Sequence, residues 1–179
     1  YLPNDMSALT QAAERKGVFL HFMLPYVLEA NHRVAAQRAH LIILDAKLKS
    51  GTPLAGADIE WLAKLGKEYG VQSDNLRELL RRVDVTPPSL ALAQAAIESG
   101  WGTSRFAQEG NAPFGQWTTA KFEGLVPQGR EAGKTHKVRA YKTINDSVAS
   151  YLRNLNTHRA YRKFRDVRAS FRSKGTPIN

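Results

Sequence analysis

The sequence predicts a mainly α fold of the α+β class, in which helices dominate and one glycine-rich segment interrupts them. Apolar residues recur at helical spacing before residue 100 and again after residue 143. Between residues 100 and 141 the helical period disappears, and glycine and proline occur at short intervals. A chain of 179 residues buries a sizeable core without covalent cross-links. We therefore expect a helical domain with a small β-hairpin between two of its helices.

The N-terminal part predicts a long amphipathic helix. An apolar stripe repeats through the first fifty residues, with Pro25 as a kink or as the proper start of the helix and Gly51 as its stop. Such a stripe packs on the rest of the chain or on a partner. The predicted organisation is a helical extension at 1–84, packed on a core at 85–179.

Shorter elements follow the long helix. A helix at 58–69 is expected to stop at Gly70, and Ser73 is a candidate cap for another at 76–83. Composition and spacing then predict the remaining elements in chain order. These are a helix at 89–99, strands at 114–117 and 137–141 in a hairpin at about 115–142, a helix capped by Thr143 and a helix at 161–171.

The chain carries a formal charge of +10, which predicts attraction to a polyanion such as nucleic acid, an acidic membrane surface or an anionic wall polymer. Its basic side chains are spread along the chain, but eight of them are concentrated near the end, where the alternative interpretation is a solvated helix face. They are Arg153, Arg159, Arg162, Lys163, Arg165, Arg168, Arg172 and Lys174.

Several classes of site find no support in the sequence. Cysteine is absent, which excludes disulfides and thiolate metal sites. The five histidines lack the spacing of a zinc helix motif, and no phosphate-binding loop, dinucleotide fingerprint or Gly-x-Ser-x-Gly elbow occurs. We therefore predict no metal and no cofactor. No apolar run reaches the length of a membrane span, and the first residues do not read as a signal peptide.

Glu98 is the residue that most resembles a catalytic acid. It is the only charged residue between Ser89 and Trp101, on a helix of small apolar residues that ends at Gly100. Burial and the negative end of the helix dipole both favour the neutral acid, which leaving-group protonation requires. The alternative is a buried ion pair with an arginine such as Arg105.

The run at 93–117 resembles the signature of bacterial glucosaminidases of the lysozyme-like superfamily. Those proteins share a glutamate at the end of a buried helix, a Ser-Gly-Trp-Gly turn and an Asn-x-x-Phe-Gly segment. Here these are Glu98, residues 99–102 and residues 111–115. The resemblance covers roughly 87–169. Residues 124–127 and Arg130 resemble the Bax-like branch of the family. Residues 154–156 and 160–161 resemble the family's closing motif.

This resemblance implies a lysozyme-like fold and a peptidoglycan substrate. The implied reaction cleaves the β-1,4 bond between N-acetylglucosamine and N-acetylmuramic acid, with Glu98 as general acid. A second carboxylate on the hairpin would be Glu131 or Glu123, while Glu109 is nearer the turn. Without one, the acetamido group of the substrate can assist the attack of water.

Aromatic and amide side chains in the matched region are expected to bind saccharide, since Trp and Tyr stack on sugar faces. By the family resemblance, Tyr161 is the tyrosine expected to line the cleft near Glu98. Tyr151 and Phe114 also fit a position in the hydrophobic core. The expected substrate-binding residues are Trp101, Asn111, Phe114, Trp117, Tyr141 and Tyr161. The expected partner is the peptidoglycan glycan strand, which implies the periplasm or cell envelope.

Two alternatives stay open. A lytic transglycosylase or a muramidase of the same superfamily also presents a glutamate on a buried helix. The second alternative is a basic protein that binds an anionic polymer without catalysis, and the charge of +10 supports it. The sequence contains no nucleic-acid recognition motif, so nucleic acid is not the expected partner.

Overall fold

The computed structural model describes residues 2–3, 6–118, 123–127, 133 and 135–178. The predicted mainly α class is confirmed, because helices account for most of the described chain. The helices are α1 (Ala12–Lys49), α2 (Gly56–Tyr69), α3 (Leu76–Arg82), α4 (Pro88–Ser99), α5 (Arg105–Gly110), α6 (Ile144–Thr157) and α7 (Arg162–Ser173), with a 3-10 helix at Arg159–Tyr161 before α7.

A small antiparallel sheet occupies the glycine-rich segment. Its strands are β1 (Trp117–Thr118), β2 (Gly124–Leu125) and β3 (Lys137–Arg139), in the order β1-β3-β2. Val138 lies opposite both Trp117 and Leu125. The strand predicted at 114–117 is wrong for its first three residues, because β1 begins at Trp117 and Phe114 turns into the core. The other predicted strand ends at Arg139 rather than Tyr141, whose N–H bonds to the Gly110 carbonyl at 2.8 Å.

Several predicted helix boundaries are confirmed and others are wrong. Gly70 ends α2 in the left-handed conformation, and Thr143 caps α6 by accepting a hydrogen bond from the Asp146 N–H at 3.1 Å. Pro25 lies inside α1, so it does not start the helix. The cap of α3 is Asn75, whose side chain accepts from the Glu78 N–H, because Ser73 lies too far before the first turn.

Helix α5 is missing from the sequence prediction. Ser104 caps it by accepting a hydrogen bond from the Ala107 N–H at 3.2 Å, and Asn111 ends it at a φ of 48°. The surrounding glycines hide this six-residue helix from periodicity, since one and a half turns present too few apolar positions to form a stripe.

The chain forms two compact units, each made of two segments. The first combines Tyr1–Ala30 with Pro87–Tyr151, and it contains α4, α5 and the sheet. The second combines Asn31–Thr86 with Leu152–Asn179. The division into an extension at 1–84 and a core at 85–179 stays a prediction.

Each unit has its own buried apolar residues. Those of the first unit include Met6, Phe19, Met23, Val27, Ala95, Phe114, Ile144 and Val148. The core cluster of the second unit consists of Leu41, Leu44, Leu62, Leu65, Tyr69, Leu76, Leu79 and Val83. Within the described ranges, no helix combines the length and apolar character needed to cross a membrane.

Candidate functional site

Helix α4 carries Glu98 in its last turn. Pro88 occupies its first turn, where a missing N–H has no intrahelical partner to lose. Ala91, Ala95 and Ser99, each four residues apart, form the buried face, and Glu98 lies at the edge of that face with its side chain exposed. The predicted burial of Glu98 is therefore wrong. Small apolar residues occur on the exposed side of α4 as well as on its buried side. The scarcity of charged residues in this helix therefore did not indicate that all of its sides are buried.

The carboxylate of Glu98 is free of partners within the described part of the chain. No hydrogen bond or ion pair joins it to any described residue. The sequence-based alternative, an ion pair with Arg105, is wrong because Arg105 donates to the Val126 carbonyl at 2.7 Å and lies 3.5 Å from a carboxylate oxygen of Glu109. Glu98 thus presents an exposed acid at the end of a helix.

The turn after α4 is held by Ser99. Gly100, Trp101 and Gly102 have φ angles of 57°, 59° and 81°, so three successive residues adopt left-handed backbone. The Ser99 hydroxyl donates to the Ala95 carbonyl at 2.6 Å and accepts from the Gly102 N–H at 2.8 Å. This pair of hydrogen bonds fixes the chain direction immediately beyond Glu98.

Trp101 packs on side chains of α1. Its ring lies edge-on to Phe19, with 5.9 Å between centroids, and Lys16 Nζ lies 5.1 Å from the indole centroid. Glycine suits position 102 beside it, because φ is +81° there and a Cβ would lie only 3.0 Å from the Phe19 ring. The predicted contact between Trp101 and saccharide stays a prediction.

Replacing Ser99 with alanine is expected to destabilise the turn. The buried Gly102 N–H would lose its acceptor, which costs about 1–3 kcal/mol of unfolding free energy. Thr103→Ala is the matched control, because the exposed Thr103 hydroxyl donates to the Gly100 carbonyl and its loss is expected to change stability by less than ~0.5 kcal/mol. Denaturant titration of both variants tests this. Equal losses would contradict the role of Ser99.

In the segment after α5, Gly115 lies beside the carboxylate of Glu98. An added Cβ at Gly115, whose φ is +56°, would lie 3.4 Å from Glu98 Oε2. Two buried side chains fix this segment. Asn111 donates to the carbonyls of Tyr141 and Lys142 at 3.0 and 3.2 Å, and Phe114 stacks on Tyr151 at 4.0 Å. The core position considered for Phe114 and Tyr151 is confirmed, while saccharide contacts by Asn111 and Phe114 stay predictions.

Tyr141 anchors Gln116, the residue after Gly115. Its hydroxyl donates to Gln116 Oε1 at 2.5 Å and lies 3.0 Å from Ser150 Oγ. Burial raises the pKa of Tyr141 above its usual value, so the hydroxyl keeps its proton at neutral pH. Sequence reasoning missed Gln116, because a single glutamine in a loop carries no distinguishing pattern.

Trp117 presents the most open ring among the predicted aromatic residues of the first unit. It is 64% exposed on β1, and the His136 ring lies against it at a centroid distance of 4.5 Å. Glu123 is exposed just before β2, where its carbonyl accepts from the Ala140 N–H at 3.0 Å. Glu131 lies outside the described residues.

Tyr161 belongs to the second compact unit, whereas Glu98 belongs to the first. It ends the 3-10 helix, half-buried, with its ring 6.2 Å from that of His158. Its predicted position beside Glu98 stays a prediction. Among the residues that the structure describes, no group of three or more His, Cys, Asp or Glu side chains is arranged to hold a metal ion.

Comparison with known proteins identifies relatives. Residues 73–176, which include Glu98, match the glucosaminidase family model, described as mannosyl-glycoprotein endo-β-N-acetylglucosaminidase. The chain is 35% identical over 177 residues to the protein Bax of Escherichia coli, covering 94% of this chain and 60% of that protein. It is 28% identical over 154 residues to the peptidoglycan hydrolase FlgJ of Salmonella typhimurium, covering 79% and 46%. No solved structure matches significantly.

Proposed function

Because the chain belongs to the glucosaminidase family, we propose that it hydrolyses the glycan strands of peptidoglycan with Glu98 as general acid. The observation that carries this proposal is the position of Glu98 at the end of α4. There its carboxylate is exposed, has no partner among the described residues, and borders a loop that Gly115 brings within contact distance. An accessible carboxyl group on a rigid helix is what proton donation to a bound glycan requires.

Two findings support the choice of substrate. The relative FlgJ is a peptidoglycan hydrolase, although this chain spans only 46% of its length. The family model is described as an endo-β-N-acetylglucosaminidase, which supports N-acetylglucosamine as one of the sugars at the bond that is cleaved. The proposed bond is the β-1,4 linkage between N-acetylglucosamine and N-acetylmuramic acid, and the proposed location that follows is the periplasm or cell envelope.

In the proposed reaction Glu98 protonates the glycosidic oxygen as the bond breaks. A saccharide lying over the exposed carboxyl group brings its glycosidic oxygen within reach of the acid that donates the proton. Trp117, with its ring 64% exposed, is the proposed stacking surface for a sugar. Tyr141 and Gln116 are proposed to hold the Gly115 segment in register with Glu98.

Product analysis tests the proposed bond specificity. Purified peptidoglycan is incubated with the protein, and the soluble fragments are identified by mass spectrometry. A reducing N-acetylglucosamine end is the expected result. A reducing N-acetylmuramic acid end would assign a muramidase instead, and an anhydro-muramic end would assign a lytic transglycosylase.

The second catalytic group is tested by comparing Glu123→Gln with Glu131→Gln. If one carboxylate activates water or stabilises the transition state, its replacement is expected to lower kcat by about 10²–10⁴ while the other variant stays active. Hydrolysis rates on solubilised glycan strands provide the measurement. Full activity in both variants would contradict a carboxylate partner on the hairpin and favour assistance by the substrate acetamido group.

A further inference from the structure

A pocket of about 340 Å³ in the second compact unit is lined predominantly by arginine. It lies among the end of α3, the 3-10 helix and the start of α7. Arg81, Arg82, Arg159, Arg162 and Arg165 line it, with Glu78 as the acidic residue of the lining. Five guanidinium groups around one small volume create a strong local excess of positive charge.

Only part of this charge is neutralised by described residues. Arg82 Nε lies 2.7 Å from Glu78 Oε1, and Arg81 pairs with Asp166 and with Glu78. In the described ranges, no carboxylate lies within ion-pair distance of Arg159, Arg162 or Arg165.

Arg165 is the buried member of the group, with 3% of its surface exposed. Its NH1 donates to the carbonyls of Leu155 and His158, each at 2.9 Å, which fixes the guanidinium at the end of α6. Its Nε is buried and has no hydrogen-bond partner among the described residues. Burial and the charge of Arg82 lower the pKa of Arg165 below its usual value, and the charge of Glu78 offsets part of this effect. Arg165 therefore contributes a fixed positive charge to the pocket lining, while its inaccessible Nε is left without an acceptor.

We infer that this pocket binds a carboxylate-bearing group of the substrate, namely the peptide stems of peptidoglycan. The choice of peptidoglycan rests on the proposed function, whereas the anion preference rests on the pocket itself. Arginine binds planar carboxylates in bidentate fashion, which suits a peptide terminus. A volume of about 340 Å³ exceeds that of a lone inorganic ion and lies within the range of pockets for small organic ligands.

The test uses the Glu98→Gln chain, so that binding is measured without hydrolysis. An N-acetylmuramyl tripeptide with free carboxylates is titrated by calorimetry, alongside its carboxyl-amidated form and inorganic pyrophosphate. Arg159→Gln with Arg162→Gln is expected to weaken binding of the free-carboxylate peptide by about tenfold or more, since charge-assisted hydrogen bonds are lost. Both arginines are exposed, so the fold should tolerate the change.

A matched control removes the same number of charges elsewhere on the same part of the chain. Lys163→Gln with Lys174→Gln alters two exposed residues outside the pocket lining, and binding is expected to stay within about twofold. Equal weakening by the two double variants, or no weakening by the arginine pair, would overturn the inference. So would binding of the amidated peptide or of pyrophosphate that equals or exceeds binding of the free-carboxylate peptide.

Failure of the proposed function is distinguishable from failure of this inference. Absence of glycan cleavage by the unsubstituted chain would refute the proposed reaction, yet selective loss of peptide binding in the arginine variant would still support the pocket. Normal cleavage by the unsubstituted chain, with unchanged peptide binding in the arginine variant, would refute the pocket alone.

Discussion

Replacing Glu98 with glutamine is expected to reduce peptidoglycan hydrolysis by about 10²–10⁴ in kcat, because glutamine preserves the shape of the side chain and removes the transferable proton. The effect should fall on kcat rather than on KM, since proton donation develops in the transition state. Initial rates of release of soluble fragments, measured at several concentrations of purified peptidoglycan, give both parameters.

Glu60→Gln is the matched control for that experiment. Glu60 is an exposed glutamate on α2, in the other compact unit from Glu98, and its replacement should leave hydrolysis unchanged. Because Glu98 is exposed and unpaired among the described residues, Glu98→Gln should change unfolding free energy by less than ~0.5 kcal/mol. Full activity in Glu98→Gln would end the assignment of Glu98 as the acid.

The second large effect concerns a buried ionic cluster around Asp84 in the second unit. Asp84 and Arg168 each have side chains that are 2% exposed, and Arg172 binds Asp84 through Nε at 3.1 Å and NH2 at 2.8 Å. Arg168 also donates to backbone carbonyls and to Asn156 Oδ1 at 2.8 Å. The carbonyls it reaches belong to Arg81, Arg82, Asp84 and Val85.

Arg168→Met is expected to destabilise the fold by about 3–5 kcal/mol, because it leaves buried acceptors without donors and removes a cation beside a buried carboxylate. Burial lowers the pKa of Arg168 to about 10, so the group is still charged at neutral pH. Denaturant unfolding followed by circular dichroism provides the measurement. Lys163→Met, at an exposed position of the same helix, should cost less than ~0.5 kcal/mol.

A loss below about 1 kcal/mol in Arg168→Met would show that the cluster contributes little beyond packing. Asp84→Asn gives an independent check, since it leaves Arg168 and the partly buried Arg38 facing each other without the anion between them. We expect that variant to be destabilised as well.

Capping residues and glycines in the sequence predicted those helix ends that depend only on neighbouring residues. Gly70 ends α2 because a residue without Cβ adopts left-handed backbone readily, and Thr143 begins α6 because its hydroxyl accepts an N–H in the first turn. Both effects act within a few residues. Cap choice failed at Ser73, where Asn75 occupies the cap position two residues later.

Burial was harder to predict, because it depends on residues distant in sequence. The C-terminal arginines have the composition of a solvated face, yet Arg165 and Arg168 are buried. Arg168 is stabilised inside the fold by acceptors that lie more than eighty positions earlier, such as the Asp84 and Val85 carbonyls. The reverse error occurred at Glu98, where an apolar neighbourhood in sequence suggested burial and the helix face is exposed.

The sequence alone determined the mainly α class, the family, and Glu98 as the candidate acid, because helical period, turn glycines and motif spacing are properties of neighbouring residues. Only the tertiary structure decided that Glu98 is exposed beside Gly115, that Arg105 does not pair with it, and that five arginines line one pocket. These features depend on which distant segments meet, and periodicity along a chain carries no information about that.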